Sequence, residues 1–209
     1  KDYLKMIRDI ADMAHIHYVR QKEMNGSGKA VLEAEAFIAG EPFAVMFGDD
    51  IVYNPQKPCL AQLIDAFENT GKCILGCQEV PEKETFKYGI VKPGAVKGRY
   101  SEVKQIVEKP APGTAPSRLA SIGRYVFTAD IFDLIKQSKP SKGGEVYLTD
   151  AIEMMAASTG VYAYNFEGRR YDVGDKQGFL EATIEYALRD EALKDGLADY
   201  LKKLVPALD

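Results

Sequence analysis

The chain has 209 residues, a net charge of −4, and 46 % hydrophobic against 28 % charged residues. This balance excludes wholesale disorder and leaves room for one large α/β domain, or one domain with an appendage. The negative charge provides no footprint for nucleic acid or an anionic membrane, and no apolar run approaches the ~20 residues of a membrane span.

No signal-peptide pattern opens the sequence. Cys59, Cys73 and Cys77 lack the paired spacing of a zinc site, so reduced, buried thiols in a cytoplasmic protein are expected. Residues 1–13 read as a helix with Leu4, Ile7, Ile10 and Ala11 on one face. Residues 15–20 read as a short strand in which His15 and His17 are structural, with no His-ligated metal. A second helix is predicted over 29–39, burying Val31, Leu32, Ala36 and Phe37. The continuously apolar run 43–47 predicts a strand buried on both faces, as in parallel sheets. Pro58 opens a helix that carries Leu60, Leu63, Ile64 and Phe67 and stops at Gly71. Residues 73–80 form another buried strand.

Shorter β segments follow at 88–92, 103–108 and 119–127, with helices at 130–137 and 148–157. Residues 161–166 alternate as a strand, with 169–173 as its expected partner. A long helix starts near Gln177, capped by Asp175, and Leu193, Leu197, Leu201 and Leu204 mark a further helix. The expected organisation is an α/β domain with a mixed sheet over 1–190 and a helical appendage over 191–209.

Candidate chemistry gathers at strand ends. Gly48-Asp49-Asp50 follows the apolar run, where ligands of open α/β sheets bind, and a carboxylate there suits magnesium. A turn before Asn54-Pro55 fits the same residues. Asn25-Gly-Ser-Gly-Lys-Ala30 fails as a Walker A loop, because Glu23 stands at the first glycine position and Ala30 replaces the hydroxyl. It still offers backbone amides at a helix start, and Gln21 before it carries the paired donor and acceptor that suit a nucleobase edge. A plain strand-to-helix loop is the competing reading. Glu108-Lys109 before Pro110 pairs an acceptor for sugar hydroxyls with a cation for phosphate, or forms a solvated rim pair. Gly89 permits close passage of a ring-shaped ligand, and Asp172 is a second candidate metal carboxylate. No nucleophilic triad can be argued from two histidines close together in one strand.

Together these segments resemble the bacterial UTP–glucose-1-phosphate uridylyltransferases over essentially the whole chain. The carrying residues are His-Tyr-Val-Arg-Gln-Lys-Glu at 17–23 with Gly26-Ser-Gly28, and Pro-Phe-Ala-Val-Met-Phe-Gly-Asp-Asp-Ile at 42–51. They continue with Tyr-Gly-Ile-Val at 88–91, Ile-Val-Glu-Lys-Pro at 106–110 and Gly-Arg-Tyr-Val-Phe at 123–127. Glu-Val-Tyr-Leu-Thr-Asp-Ala-Ile at 145–152 and Tyr-Asp-Val-Gly-Asp-Lys at 171–176 complete the set. Gly-Asp after a strand and Glu-Lys-Pro occur across sugar nucleotidyltransferases, whereas 123–125 and 145–152 point to the uridylyl branch for glucose.

The resemblance implies a Rossmann-like α/β/α nucleotidyltransferase fold, a homo-oligomer, and transfer of a uridylyl group from UTP to glucose 1-phosphate with Mg2+, giving UDP-glucose and pyrophosphate. By the same resemblance, Gln21 pairs with the uracil edge and Gly26 lies against the nucleotide. Asp49 and Asp172 are metal carboxylates, Gly89 and Glu108 contact the sugar, and Lys109 contacts phosphate; Asp49 and Lys109 are the catalytic candidates. The family's opening strand, Gly-x-Gly-Thr-Arg loop and following lysine have no match in residues 1–16. An N-terminally truncated domain, inactive alone, is therefore the expectation. Another sugar-nucleotide nucleotidyltransferase, or a noncatalytic sugar-nucleotide-binding module, is the alternative.

Overall fold

The computed structural model describes residues 2–141 and 143–205. Its centre is a mixed six-stranded sheet built from β1 (Phe43–Met46), β3 (Cys73–Glu79), β4 (Gly89–Lys97), β5 (Tyr100–Glu108), β6 (Leu119–Phe127) and β7 (Val161–Asn165). The spatial order is β1-β6-β3-β7-β5-β4, and β4 also pairs with β6. A second, two-stranded ribbon joins β2 (Asp50–Tyr53) to β8 (Arg169–Asp172). Among the described residues only β3 and β7 run parallel, and the other pairings are antiparallel.

Strand β3 shows why the sheet needs cover on both sides. Successive residues of a strand point to opposite faces. Cys73, Leu75 and Cys77 enter one core with residues of α5 (Ile131–Gln137) and α6 (Leu148–Ser158). Ile74 enters the other, against Leu63 and Ala66 of α4 (Cys59–Thr70). Each such fully buried aliphatic side chain contributes about 1.5–3 kcal/mol. Helix α4 begins after Pro58 and ends at Gly71, which takes the left-handed conformation with φ 61° as the sequence requires. All three cysteines are free and buried.

Several expectations are corrected. The apolar run at 43–47 is not buried on both faces: among the described residues β1 has the single neighbour β6, pairs antiparallel, and leaves Met46 exposed. Four residues are too few for periodicity to separate an edge strand from a central one. Residues 15–20 form no strand; they have no ladder partner, and Tyr18 is 92 % exposed. The helix expected over 29–39 is two short ones, α2 (Ser27–Leu32) and α3 (Glu35–Ile38), with Val31 buried but Ala36 and Phe37 exposed. Strand β8 pairs with β2 rather than with the 161–166 strand.

Helix α1 (Asp2–Ala11) forms as expected yet buries none of its residues. Helix α7 (Lys176–Arg189) starts at Asp175, whose carboxylate accepts from the backbone amides of Gln177 and Gly178. Helix α8 (Lys194–Leu204) follows it within the expected appendage. Residue 1 and residues 206–209 of the expected elements lie outside the described residues.

Candidate active site

A cleft of about 610 Å³ opens where β1, β4, β5, β6 and the β2–β8 ribbon meet, and its walls include Asp49, Asp172, Glu108, Lys109, Gly89 and Gly26. Six of the seven residues singled out in the sequence are therefore brought together. Gln21, the seventh, sits beside the cleft rather than on its wall; its amide donates to Asn25 Oδ1 at 3.1 Å and to the Gly26 carbonyl at 3.3 Å.

The acidic wall is made by the ribbon. Asp50 and Asp172 face each other in register across β2 and β8, and the Val173 amide donates to the Asp49 carbonyl at 2.8 Å. This stitching turns the carboxylates of Asp49 and Asp172 toward one glycine. A Cβ on Gly174 would lie 3.1 Å from Asp49 Oδ2 and 3.3 Å from Asp172 Oδ1. The two oxygens thus border a small space that any larger residue at 174 would fill.

Asp50 has a different role from its neighbour. Its Oδ1 accepts from Arg170 and its Oδ2 accepts from the Gly123 amide at 3.0 Å. Arg124 in turn donates to the carbonyls of Phe47 and Asp50, holding the turn that presents Asp49. Gly123 must be glycine here: a Cβ would meet Phe47 Cβ at 2.6 Å.

A second part of the lining follows from the pairing of Gly89 with both Glu108 and Ser121. Glu108 Oε2 accepts from the Thr149 hydroxyl at 2.6 Å, and a Cβ on Gly89 would come within 3.2 Å of that same oxygen. Lys109, next in the chain, has φ 43°. A left-handed lysine is uncommon and costs energy, and such strain clusters at functional sites. Its amide donates to the Tyr88 carbonyl at 3.0 Å, which anchors the bend before Pro110.

At the third side, Gly26 has φ 107° and packs so closely that a Cβ would lie 2.4 Å from the Val146 carbonyl oxygen. The Gly28 amide donates to that carbonyl at 2.9 Å. The glycines expected to offer amides to an anion are thus spent, at Gly28, on the fold itself.

Sequence reading missed Arg170, Tyr88 as a side chain, Thr149 and Lys87. Arg170 was visible only as one of two adjacent arginines in a strand. Burial works against its charge, but Asp50 beside it and the Tyr88 hydroxyl hold its pKa above the usual value. Burial, offset by Arg170 and reinforced by Asp172, pushes the Tyr88 phenol up to about 12, so it is a hydrogen-bond donor at neutral pH. Lys87 pairs with Asp175 at 3.2 Å and, before the two helix amides, holds that carboxyl below its usual range.

A mixed sheet with helices on both faces, a pair of carboxylates and a Glu-Lys at a strand end lining the same cleft fit a nucleotidyltransferase. The chain belongs to the nucleotidyl transferase family, whose profile matches residues 2–189. Within it, a UTP–glucose-1-phosphate uridylyltransferase from Staphylococcus saprophyticus is 52 % identical over 203 residues, covering 97 % of this chain and 70 % of the relative. A crystal structure of UDP-glucose pyrophosphorylase complexed with UDP-glucose superposes with a TM-score of 0.86 at 39 % identity, covering 90 % of this chain and 72 % of that one. A UTP-bound enzyme from Acinetobacter baumannii gives 0.80 at 30 % identity, covering 100 % and 72 %. Among the described residues, no helix is long and apolar enough to cross a membrane.

Proposed function

We propose that this cleft transfers a uridylyl group from UTP to glucose 1-phosphate, giving UDP-glucose and pyrophosphate. The observation that carries the reading is the convergence of Asp49 and Asp172 on Gly174 in a cleft that Glu108 and Lys109 also line. The relatives' names supply the substrates.

Two carboxylates suit Mg2+, which is held by one or two protein carboxylates and completes its shell with water and phosphate oxygens. Bound by Asp49 and Asp172, it would neutralise phosphate charge as a Lewis acid. Lys109 has no ion-pair partner among the described residues and meets phosphate as a point charge. Glu108, oriented by Thr149, accepts from sugar hydroxyls above Gly89. Gln21 meets the uracil edge by exchanging its bonds to Asn25 and Gly26, with Gly26 against the nucleotide.

The sugar-phosphate oxygen attacks the α-phosphorus in line. The new P–O bond forms as the bond to pyrophosphate breaks, and no covalent enzyme intermediate is needed. The protein contributes positioning and charge. Free, buried cysteines fit a cytoplasmic setting. Exposed Phe179, Leu180, Leu193 and Tyr200 on α7, α8 and their junction fit a homo-oligomer.

Two measurements on the purified chain test the proposal: calorimetric titration with UDP-glucose and ADP-glucose, and pyrophosphate release from UTP and glucose 1-phosphate with Mg2+. Preferential UDP-glucose binding is expected, and pyrophosphate release by the chain alone would overturn the expectation that it is inactive without the family's glycine-rich loop. Binding without release would place the chain as a noncatalytic sugar-nucleotide-binding module, and equal binding of ADP-glucose would remove the uridylyl assignment.

A further inference from the structure

The buried polar group behind the acidic wall has a geometry of its own. Arg170 is almost enclosed, with 11 % of its side chain exposed, as is Asp50 with 12 %. Its Nε and Nη2 both reach Asp50 Oδ1, at 2.6 and 2.5 Å. Its Nη2 also approaches Asp172 Oδ2 at 3.4 Å, while its guanidinium lies 4.6 Å from the centre of the Tyr88 ring. The Tyr88 hydroxyl donates to the same Asp172 Oδ2 at 2.8 Å. Asp172 therefore has one oxygen held twice, from two different elements, and the other turned to Gly174 beside Asp49 Oδ2.

We infer that Arg170 and Tyr88 are positioning residues that hold Asp172 by Oδ2 and so present Oδ1 to a divalent cation, with Asp50 serving as the anchor of Arg170 rather than as a metal ligand. The inference rests on the assignment of Asp49 and Asp172 as the cation's carboxylates. Both Asp50 oxygens are already satisfied, by Arg170 and by the Gly123 amide, so moving Asp50 onto a metal would leave a buried guanidinium without its counter-ion. Asp172 is free to ligate through one oxygen without losing either of its supports. Charge points the same way. Three carboxylates and one guanidinium leave the group two net negative charges, which a divalent cation balances; without Arg170 there would be three. Partners of this kind fix a ligating carboxylate's orientation, and losing one typically costs 10–100-fold in metal affinity.

The test is Mn2+ binding to the full chain in the presence of UDP-glucose, followed by electron paramagnetic resonance, for the native protein and for Asp172→Asn, Tyr88→Phe and Arg170→Lys. Tyr88→Phe keeps the ring and its stacking on Arg170, so it removes one hydrogen bond without opening the core. Arg170→Lys keeps the charge but loses the fork that reaches Asp50 and Asp172 together. The expected result is about 10-fold weaker Mn2+ binding for each, against near-complete loss for Asp172→Asn, with urea midpoints of Tyr88→Phe and the native protein alike. If Asp172→Asn binds Mn2+ as well as the native protein, the cation assignment itself fails. If Asp172→Asn loses Mn2+ while Tyr88→Phe and Arg170→Lys retain native affinity, the assignment stands and the positioning inference is overturned.

Discussion

Gly178 and Gly196 both lie in helices, and alanine at the two positions is expected to act with opposite sign. In the first turn of α7, a Cβ on Gly178 would sit 2.1 Å from the Asp172 carbonyl oxygen and 2.9 Å from its carbonyl carbon. Real Cβ atoms essentially never approach within 3.0 Å, so the helix start and the end of β8 must part by about 1 Å. The obstacle is backbone, which cannot rotate away. Overpacking costs about 1–3 kcal/mol, and the helical gain of alanine over glycine returns about 0.5–1 kcal/mol. The net for Gly178→Ala is a loss of about 1–2 kcal/mol. In α8, nothing lies within 4 Å of a Cβ on Gly196, so Gly196→Ala receives the helical gain alone, about 0.5–1 kcal/mol. At about 2–4 °C per kcal/mol for a chain of this size, the two variants should separate by several degrees in thermal unfolding. The displaced backbone is that of Asp172. An ~1 Å misplacement in a catalytic constellation costs about 10²-fold, so Gly178→Ala should also lose divalent-dependent binding of UDP-glucose, while Gly196→Ala keeps it. Urea unfolding and calorimetry on the two proteins decide the matter. Equal or greater stability for Gly178→Ala with unchanged ligand affinity would show that the α7 start yields freely and that this contact does not place Asp172.

Because the cleft carries Asp49, Asp50, Glu108, Glu145, Asp172 and Asp175 against Lys87, Lys109 and Arg170, chelation of divalent ions should weaken UDP-glucose binding severely. Asp49→Asn should reproduce that loss with little change in melting temperature, since it removes charge at a strand end and no core volume; native-like magnesium dependence in this variant would take Asp49 out of the site. Thr149→Val removes the hydroxyl that orients Glu108 Oε2 at 2.6 Å, and should weaken UDP-glucose by about 1–2 kcal/mol while leaving UDP unaffected; parallel loss for both ligands would separate Thr149 from sugar recognition. Purine nucleotides should bind less tightly than UTP or dTTP, whose base edges are alike, and equal affinity for ATP in calorimetry would refute base reading by Gln21. Hydrogen bonds from Arg169 first, then Tyr171, lower the Glu185 carboxyl to about 2 from 4.5. A depressed carboxylate stabilises the fold above its unfolded value and loses that contribution as pH falls through the folded one. The urea midpoint of the native protein should therefore approach that of Glu185→Gln between about pH 4.5 and pH 2, and a constant difference across that window would count against the hydrogen bonds of Glu185 to Arg169 and Tyr171.

Local signals carried much of this chain. Helix α4 is written in Pro58, the spacing of Leu60, Leu63 and Phe67, and Gly71, all within one stretch of backbone. The cap at Asp175 needs only amides two and three residues ahead. Strand β3, apolar from Cys73 to Cys77, is buried over those residues as expected. The candidacy of Asp49, Gly89, Glu108, Lys109 and Asp172 was also readable, because each lies at or next to a strand end and its residue type has a chemistry of its own. What those residues do to one another was not. The edge position of β1 depends on which strands lie beside it, and the partner of β8 is a strand more than a hundred residues away. Arg170 and Asp50 are separated by 120 residues, and Glu108 and Thr149 by 41. A buried charge is stable only beside its counter-charge, so the role of Arg170 exists only once the chain has closed β2 onto β8, and no local pattern encodes that distance.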